Sequence, residues 1–348
     1  MAPTDATARR GWIATILAWI LAAAWGAVRA VLLLWTVLAV YFSNLPWGWA
    51  RAIAALAVLG FGIWALWVAR GGRARRAFTV LFLAVVGWFV SIEPSHDRNW
   101  RPDVAVMPRA VIDGDRVRIS GVRHFEYRSR DDFTIRYEER EVSLSHLVAV
   151  DFFISFWLPI PMGHTFVSFV FDNAPPISIS IEARPEVGEG FEPLSSMFKQ
   201  FELIYVVGDE RDIVGVRTDH RDEQVFLYRV LTSPENARQL FLVYLQRINE
   251  LADQAEFYHL LSNNCTINIV RYANAAGREG GFDWRHLVNG LIDGYLYDTG
   301  RIDTSLPFEE LRARSDITAA SQAAAGTPDF SDRIRMGLPA MPPQPGAP

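Results

Sequence analysis

The sequence predicts an α+β fold, an antiparallel sheet with packed helices, preceded by three transmembrane helices. Three observations lead there. Half of the 348 residues are hydrophobic, but the first 92 hold long runs of Ala, Val, Leu, Ile and Trp, whereas the rest has the composition of a globular domain. Short segments after residue 115 alternate apolar and polar side chains between turn residues, which is a strand pattern. Helical signals then follow these strands as a block instead of alternating with them, which argues against βαβ units.

Composition also excludes function classes. The formal net charge is −5 and no Lys/Arg-rich segment lies in the soluble part, so nucleic acid is not an expected partner. A single cysteine rules out an intramolecular disulfide. With no Cys pair and no ligand spacing among the histidines, neither a metal nor another cofactor is expected.

Residues 1–10 are polar and end in Arg9-Arg10. From Trp12 to Phe42 the chain is apolar except at Arg29, a longer run than the ~20 residues a bilayer requires. One long or tilted helix with an interfacial end fits it, with Arg29 snorkelling or facing other helices. The loop Ser43 to Trp49 carries interface-type Trp and Pro. A second span runs from about Arg51 to Val68 and a third from about Ala77 to Ile92, separated by Arg70, Arg73, Arg75 and Arg76. Two crossings separate the arginine clusters, so both fit the cytoplasmic side, and everything after Ile92 then lies outside the cytoplasm. The expected protein is a multi-pass membrane protein with an extracytoplasmic domain. Its division is residues 1–10 as a cytoplasmic N-terminus, 11–92 as the membrane region, 93–114 as a linker, 115–315 as the extracytoplasmic domain and 316–348 as a disordered tail rich in Ala, Pro and Gly.

A first strand is expected at Arg116 to Ile119. Val122–Arg128, Val142–Phe156, His164–Phe171, Ile177–Arg184, Phe201–Val207, Asp212–Arg217 and Val225–Val230 also read as strands. Asp172 to Pro176 is a turn joining two of them as an antiparallel hairpin. Thr232-Ser233-Pro234-Glu235 starts a helix, with a hydroxyl cap, Pro in the first turn and an acid. Leu240, Tyr244, Leu245, Ile248 and Leu251 follow at helical spacing and form a core face. Residues 282–315 hold one or two further short helices.

The one cysteine, Cys265, lies in Ser262-Asn263-Asn264-Cys265-Thr266-Ile267-Asn268. Asn is a strong N-cap, so a helix starts within a residue of the thiol, where unpaired N–H groups and the helix dipole favour a thiolate. The same N–H groups suit an oxyanion. A buried, inert cysteine is the bland alternative. A thiol nucleophile needs a base, usually His. Of the seven histidines, His96, His220 and His286 read as solvated, His124 and His146 sit in strand-like segments, and His259 is a sequence neighbour of Cys265. His164 has the most suggestive setting, since it opens a strand directly after Gly163, which permits close approach.

Gly163-His164-Thr165, Ile179 to Glu186, Phe201 to Tyr205, Glu210-Arg211-Asp212 with Val216-Arg217-Thr218, and Asn264-Cys265-Thr266 come in serial order. Together they resemble the Lnb N-terminal periplasmic domain family, formerly a domain of unknown function, over roughly residues 115–305. The family is similar to circularly permuted, papain-like thiol enzymes of the NlpC/P60 and lecithin:retinol acyltransferase kind, in which a strand His precedes a Cys at a helix start. The resemblance implies Cys265 as nucleophile and His164 as its base, and N-acylation of bacterial lipoproteins as the activity of named members. Three N-terminal spans and a His at position 259, where the family often has Asn, depart from the pattern.

For the third residue, pairing Phe171 with Ile177 would set His164 opposite Arg184 and make Glu182 a diagonal neighbour able to orient the imidazole. Ser180 is the runner-up, and an ion pair of Glu182 with Arg184 or Arg217 is the alternative role. Asn263, Asn264 and Thr266 are expected to support the site or its oxyanion hole. Glu210-Arg211-Asp212 reads as a structural charge network. The expected function is a membrane-anchored periplasmic thiol acyltransferase, forming an acyl-thioester at Cys265 from a lipid ester and passing it to an amine such as a lipoprotein N-terminus. The alternatives are a Cys/His amidase or peptidase acting on cell-envelope peptides, or a non-catalytic envelope module with Cys265 buried out of reach of every His.

Overall fold

The computed structural model describes residues 5–43, 45, 47–157, 162–277 and 280–339. They form two compact units, residues 1–93 with 198–200, and residues 94–197 with those from 201 onward.

In the first unit, α1 (Asp5–Tyr41) is unbroken, α2 (Gly48–Ile63) runs on through a π-helical turn (Trp64–Val68), and α3 is Gly72–Ser91. Thr15–Tyr41, Gly48–Val68 and Gly72–Ser91 are long and apolar enough to cross a membrane. Trp19, Leu21, Ile53, Leu56, Leu83 and Val90 all expose most of their surface, which only an apolar solvent makes cheap. Arg29 has a partner at this depth: its Nη1 donates to the Leu66 carbonyl at 3.3 Å, within the π turn, and its guanidinium lies 5.6 Å from the Trp25 ring. Gly62 is required where α2 meets Leu33, since a Cβ there would sit 2.3 Å from the leucine's Cδ1.

The second unit is α+β. Its strands are β1 (Arg109–Asp113), β2 (Arg116–Arg123), β3 (Glu126–Tyr127), β4 (Phe133–Thr134), β5 (Tyr137–Ser143), β6 (Leu147–Phe156), β7 (His164–Phe171), β8 (Ile177–Arg184), β9 (Glu202–Gly208) and β10 (Gln224–Arg229). The main sheet runs β1-β2-β9-β8-β7-β6-β10, with β5 on β2. Its ladders are antiparallel except where β2 meets β9 in parallel through Arg123 and Gly208. Helices are α4 (Glu210–Ile213), α5 (Gly215–His220), α6 (Pro234–Asp253), α7 (Cys265–Ala275), α8 (Ile292–Asp298), α9 (Phe308–Arg314), α10 (Thr318–Ala323) and α11 (Phe330–Arg333).

The central strands are buried on both faces, so they read as nearly continuous apolar runs. One face carries Val167, Phe169, Ile179 and Tyr205 against Phe241, Tyr244 and Ile248 of α6 and Tyr272 of α7. The other carries Phe153, Phe166, Ile204 and Val206 against Ile213, Val214 and Ile317. Helix α6 begins as its sequence predicts, with Ser233 accepting the Asn236 N–H at 3.2 Å and Pro234 in the first turn.

Four expectations are corrected. Asp212–Arg217 is helical, because Asp209 caps α4 by accepting the Arg211 N–H and Glu210 places an acid in the first turn, outweighing the alternation. The stretch 93–114 is not merely a linker: β1 pairs with β2, and residues from 94 belong to the domain. The region from 316 is not a disordered tail as far as residue 339. Its spaced apolar residues Ile317, Ala324, Phe330 and Ile334 are buried, and Arg335 pairs with Glu210 and Asp151 at 2.6 and 2.9 Å. Residues 340–348 lie outside the described residues, as does Pro161. Finally, Phe169, not Phe171, pairs with Ile177, while Phe171 stays on β6 opposite Leu147. Pro175 and Pro176 have no N–H to give the ladder, so the connection is wider than a tight turn.

Candidate active site

Cys265 is the first residue of α7 and is 1 % exposed. Its position is built by the two asparagines before it. Asn264 Oδ1 accepts the Ile267 N–H at 2.9 Å as N-cap, and its amide also donates to the Leu260 carbonyl. Asn263 donates to the Phe257 carbonyl at 2.9 Å and accepts from Asn268 Nδ2 at 2.9 Å. The N–H groups of Cys265 and Thr266, in the first turn, have no intrahelical acceptor by their place in the helix.

His164 is the first residue of β7. Gly163 lets the strand enter there, since a Cβ at that position would lie 2.9 Å from the Ser155 carbonyl oxygen. The ladder that pairs Phe166 with Ser180 sets His164, two residues further, opposite Glu182. That is closer than the diagonal placement expected, and it preserves the same face. The contacts follow: Ser180 Oγ lies 2.6 Å from His164 Nε2 and donates to Glu182 Oε1 at 2.7 Å, which is itself 3.8 Å from Nε2. Arg217 Nη2 donates to the same carboxylate oxygen at 2.9 Å, while its guanidinium lies 5.2 Å from the Phe166 ring. Burial alone would raise the Glu182 pKa, but the charges of Arg217, His164, Arg123 and Arg221 hold the carboxyl well below the usual range. Of the two alternative partners for Glu182, Arg217 is the one found. Arg184 instead donates to the carbonyls of Val104 and Ala105 and stacks on Trp100.

With Nε2 engaged by Ser180, the other ring nitrogen, Nδ1, is the one free for the sulfur. Burial pushes the Cys265 thiol up, but the charge and hydrogen bond of His164 and the hydroxyl and N–H of Thr165 bring it down to about 6. Thr266 Oγ1 lies 3.8 Å from Sγ and shares a 2.9 Å hydrogen bond with Thr165 Oγ1. The thiol is therefore surrounded by donors, as a thiolate requires.

Sequence reading missed Asn289, 24 residues past the cysteine. It accepts the Gly163 N–H at 3.0 Å, donates to the Gly163 carbonyl, and places Nδ2 3.9 Å from Cys265 Sγ. It thus ties the residue before His164 to the thiol. No local pattern marks it, because its role exists only through the tertiary contact. Thr165 was named only within a family motif, without a role.

The remaining histidines do structural work. His259 Nδ1 bonds Ser262 Oγ at 3.0 Å and shapes the loop before α7. His124 meets Arg211 and Asp209. Two expectations of solvated residues are corrected: His96 contacts the Leu251 carbonyl and Arg184, and His286 is buried, caps its own 3-10 turn with Asp283 and packs edge-on against Tyr295. The Glu210-Arg211-Asp212 stretch is a charge network, in which Asp212 accepts from Arg123 Nε and Nη2 and from the Phe125 N–H. No group of three or more His, Cys, Asp or Glu suited to a metal occurs among the described residues.

Residues 133–290, which contain both Cys265 and His164, match the family model described as the Lnb N-terminal periplasmic domain. No curated protein and no solved structure matches the chain.

Proposed function

Because the chain carries an Lnb N-terminal periplasmic domain, we propose that it is a membrane-anchored thiol acyltransferase working on the periplasmic side, with its N-terminus in the cytoplasm. The observation that carries this reading is the lone cysteine at a helix start, its thiol lowered to about 6 by His164 and Thr165. His164 Nδ1 takes the thiol proton, and Sγ attacks the carbonyl carbon of a lipid ester. The N–H groups of Cys265 and Thr266, with Asn289 Nδ2 nearby, face the oxyanion. Collapse expels the glyceryl alkoxide, which takes the proton back from His164 and leaves an acyl-thioester on Cys265. An amine, such as the N-terminus of a lipoprotein, then attacks the thioester. Its proton passes through His164 to the departing thiolate. Glu182 and Ser180 hold the ring and stabilise its cation, and Arg217 keeps Glu182 ionised.

Intact-mass analysis of the full-length protein with phospholipid or lipoprotein tests this. An acyl adduct on the wild type that is absent from Cys265→Ser supports the reading. A thiol that alkylates readily but never carries an acyl group with any lipid sinks it. Burial of Cys265 taken alone suits the non-catalytic module, whereas the His164 hydrogen bond to the thiol supports the enzyme.

A further inference from the structure

Beside the nucleophile lies a groove that the chemistry above does not use. Its floor is sheet residues such as Val167, and its walls are Leu240 of α6, Ile269 and Ala273 of α7 and Leu296 of α8. The space within it is ≈ 70 Å³, more than a close-packed core leaves between side chains. Along α7 and its C-cap Ala276 the lining positions are 266, 269, 270, 273, 274 and 276, one stripe of the helix. At 1.5 Å per residue that stripe is ~15 Å long. It starts at Thr266, whose hydroxyl is 3.8 Å from the sulfur and already satisfied by Thr165.

We infer that this groove is the acyl-chain subsite: a fatty chain lies along α7 with its carbonyl at Cys265 and its methylenes running toward Ala276. The inference rests on the nucleophilic reading of Cys265 and names which part of the substrate goes where. The lining is almost wholly apolar, and only Thr266, Thr232, Asn236, Asn274, Tyr295 and Arg301 bring polar groups to it. A peptide placed there would bury its own N–H and C=O groups without partners. An unbranched hydrocarbon buries none, and dry apolar cavities take such guests. Because Cys265 is itself nearly inaccessible, a long narrow guest is also the kind that can bring a carbonyl to it.

The test is photo-crosslinking of the full-length Cys265→Ser protein with a diazirine-bearing palmitate ester, followed by peptide mapping. Label is expected on residues 265–276 and 292–298, and it should be lost in the added Ala273→Trp variant and reduced in Ala273→Leu. Ala273 is only half-buried, and thermal unfolding of each variant reports whether it folds. In parallel, the wild type is acylated with p-nitrophenyl acetate, butyrate, hexanoate and octanoate. The rate should rise by about fourfold for each methylene seated, and Ala273→Trp should lose that rise. Label confined to α1–α3, or a label unmoved by Ala273→Trp, overturns the groove. A flat chain-length profile in a protein that does form the thioester also overturns it and leaves the nucleophile standing. Groove labelling without any thioester supports the subsite and removes the nucleophile.

Discussion

The two faces of the central sheet are built from opposite chemistries. The face under α6 and α7 is a hydrocarbon core of Val167, Phe169, Ile179, Tyr205 and their helix partners, and the lone cysteine belongs to its margin. On the other face the same strands present Ser180, Glu182, Arg184 and Glu202, threaded through a smaller apolar cluster with Arg123, Asp212 and Arg217 around it. Strand alternation forces this split, because neighbours along β7 and β8 point to opposite sides. His164 shares the ionic face with Phe166, on whose ring it stacks at 6.2 Å, yet it reaches a cysteine that packs with the apolar one. It manages this only because it is the first residue of its strand, where no further residue separates the faces. The comparison teaches that the one charge drawing the thiol pKa down, that of His164, comes from the ionic face, while the Thr165 hydrogen bonds that assist it come from the thiol's own side.

The sharpest way to break that picture is to remove the bridge. His164→Ala should lower acyl-adduct formation by about 10²–10⁴-fold, the usual contribution of a general base. The same variant should also move the midpoint of Cys265 alkylation against pH. Thiolate is the reactive form, so the wild-type rate should climb as pH rises through about 6, and the variant should climb only near the ordinary thiol value of ~8.5. An unmoved midpoint would assign the shift to the helix start and Thr165 instead.

A second prediction concerns the ionic face alone. Asp212→Asn leaves the buried Arg123 guanidinium without its counter-charge and should cost about 3–5 kcal/mol, read as a loss of roughly 10 °C in thermal unfolding. Once folded at low temperature, the variant's alkylation midpoint should stay close to that of the wild type. Glu182→Gln tests the link between the faces. It removes the charge beside the imidazole while keeping its shape, so activity should fall by about tenfold, with the alkylation midpoint rising by less than in His164→Ala. An effect as large as that of His164→Ala would make Glu182 more than an orienting group.

The smallest effect expected is at Glu202, the other acid buried on this face. Burial pushes its carboxyl up to about 7 against the pull of Arg98 and the Ser95 N–H. A raised folded pKa means that its contribution to stability is complete below the unfolded value of ~4.3. That contribution is lost as pH rises through about 7, because the unfolded chain ionises first. Unfolding between pH 4 and 8 should therefore show a decline that Glu202→Gln flattens. A wild-type curve that is level across this range removes the effect.

Much of this was legible before any coordinates. The three spans stood out because a bilayer demands length and apolarity, both of which are local properties. The cap Asn264, the helix start at Ser233 and the strands at 164–171 and 177–184 were also local, set by side chains acting within a few residues. The misreadings were local rules overruled from a distance. The alternation at 212–217 gave way to the cap at Asp209, and the Ala- and Gly-rich composition after 316 hid four apolar residues that the sheet buries. The register between β7 and β8 was off by two, but the shift is even, so Glu182 kept its face and moved closer to His164.

What the sequence determined by itself is therefore the inventory and its spacing: three apolar spans, one thiol behind an N-cap, and a histidine opening a strand after the one residue small enough for that approach. Only the tertiary structure decided which groups meet. It set Glu182 opposite His164, gave Arg217 to that carboxylate and brought Asn289 to both Gly163 and the sulfur. The physical reason is that capping, periodicity and hydropathy act over one or two turns of chain. An ion pair or an amide clamp depends on residues tens to a hundred positions apart, which only the closing of the sheet and the docking of α7 bring within 4 Å.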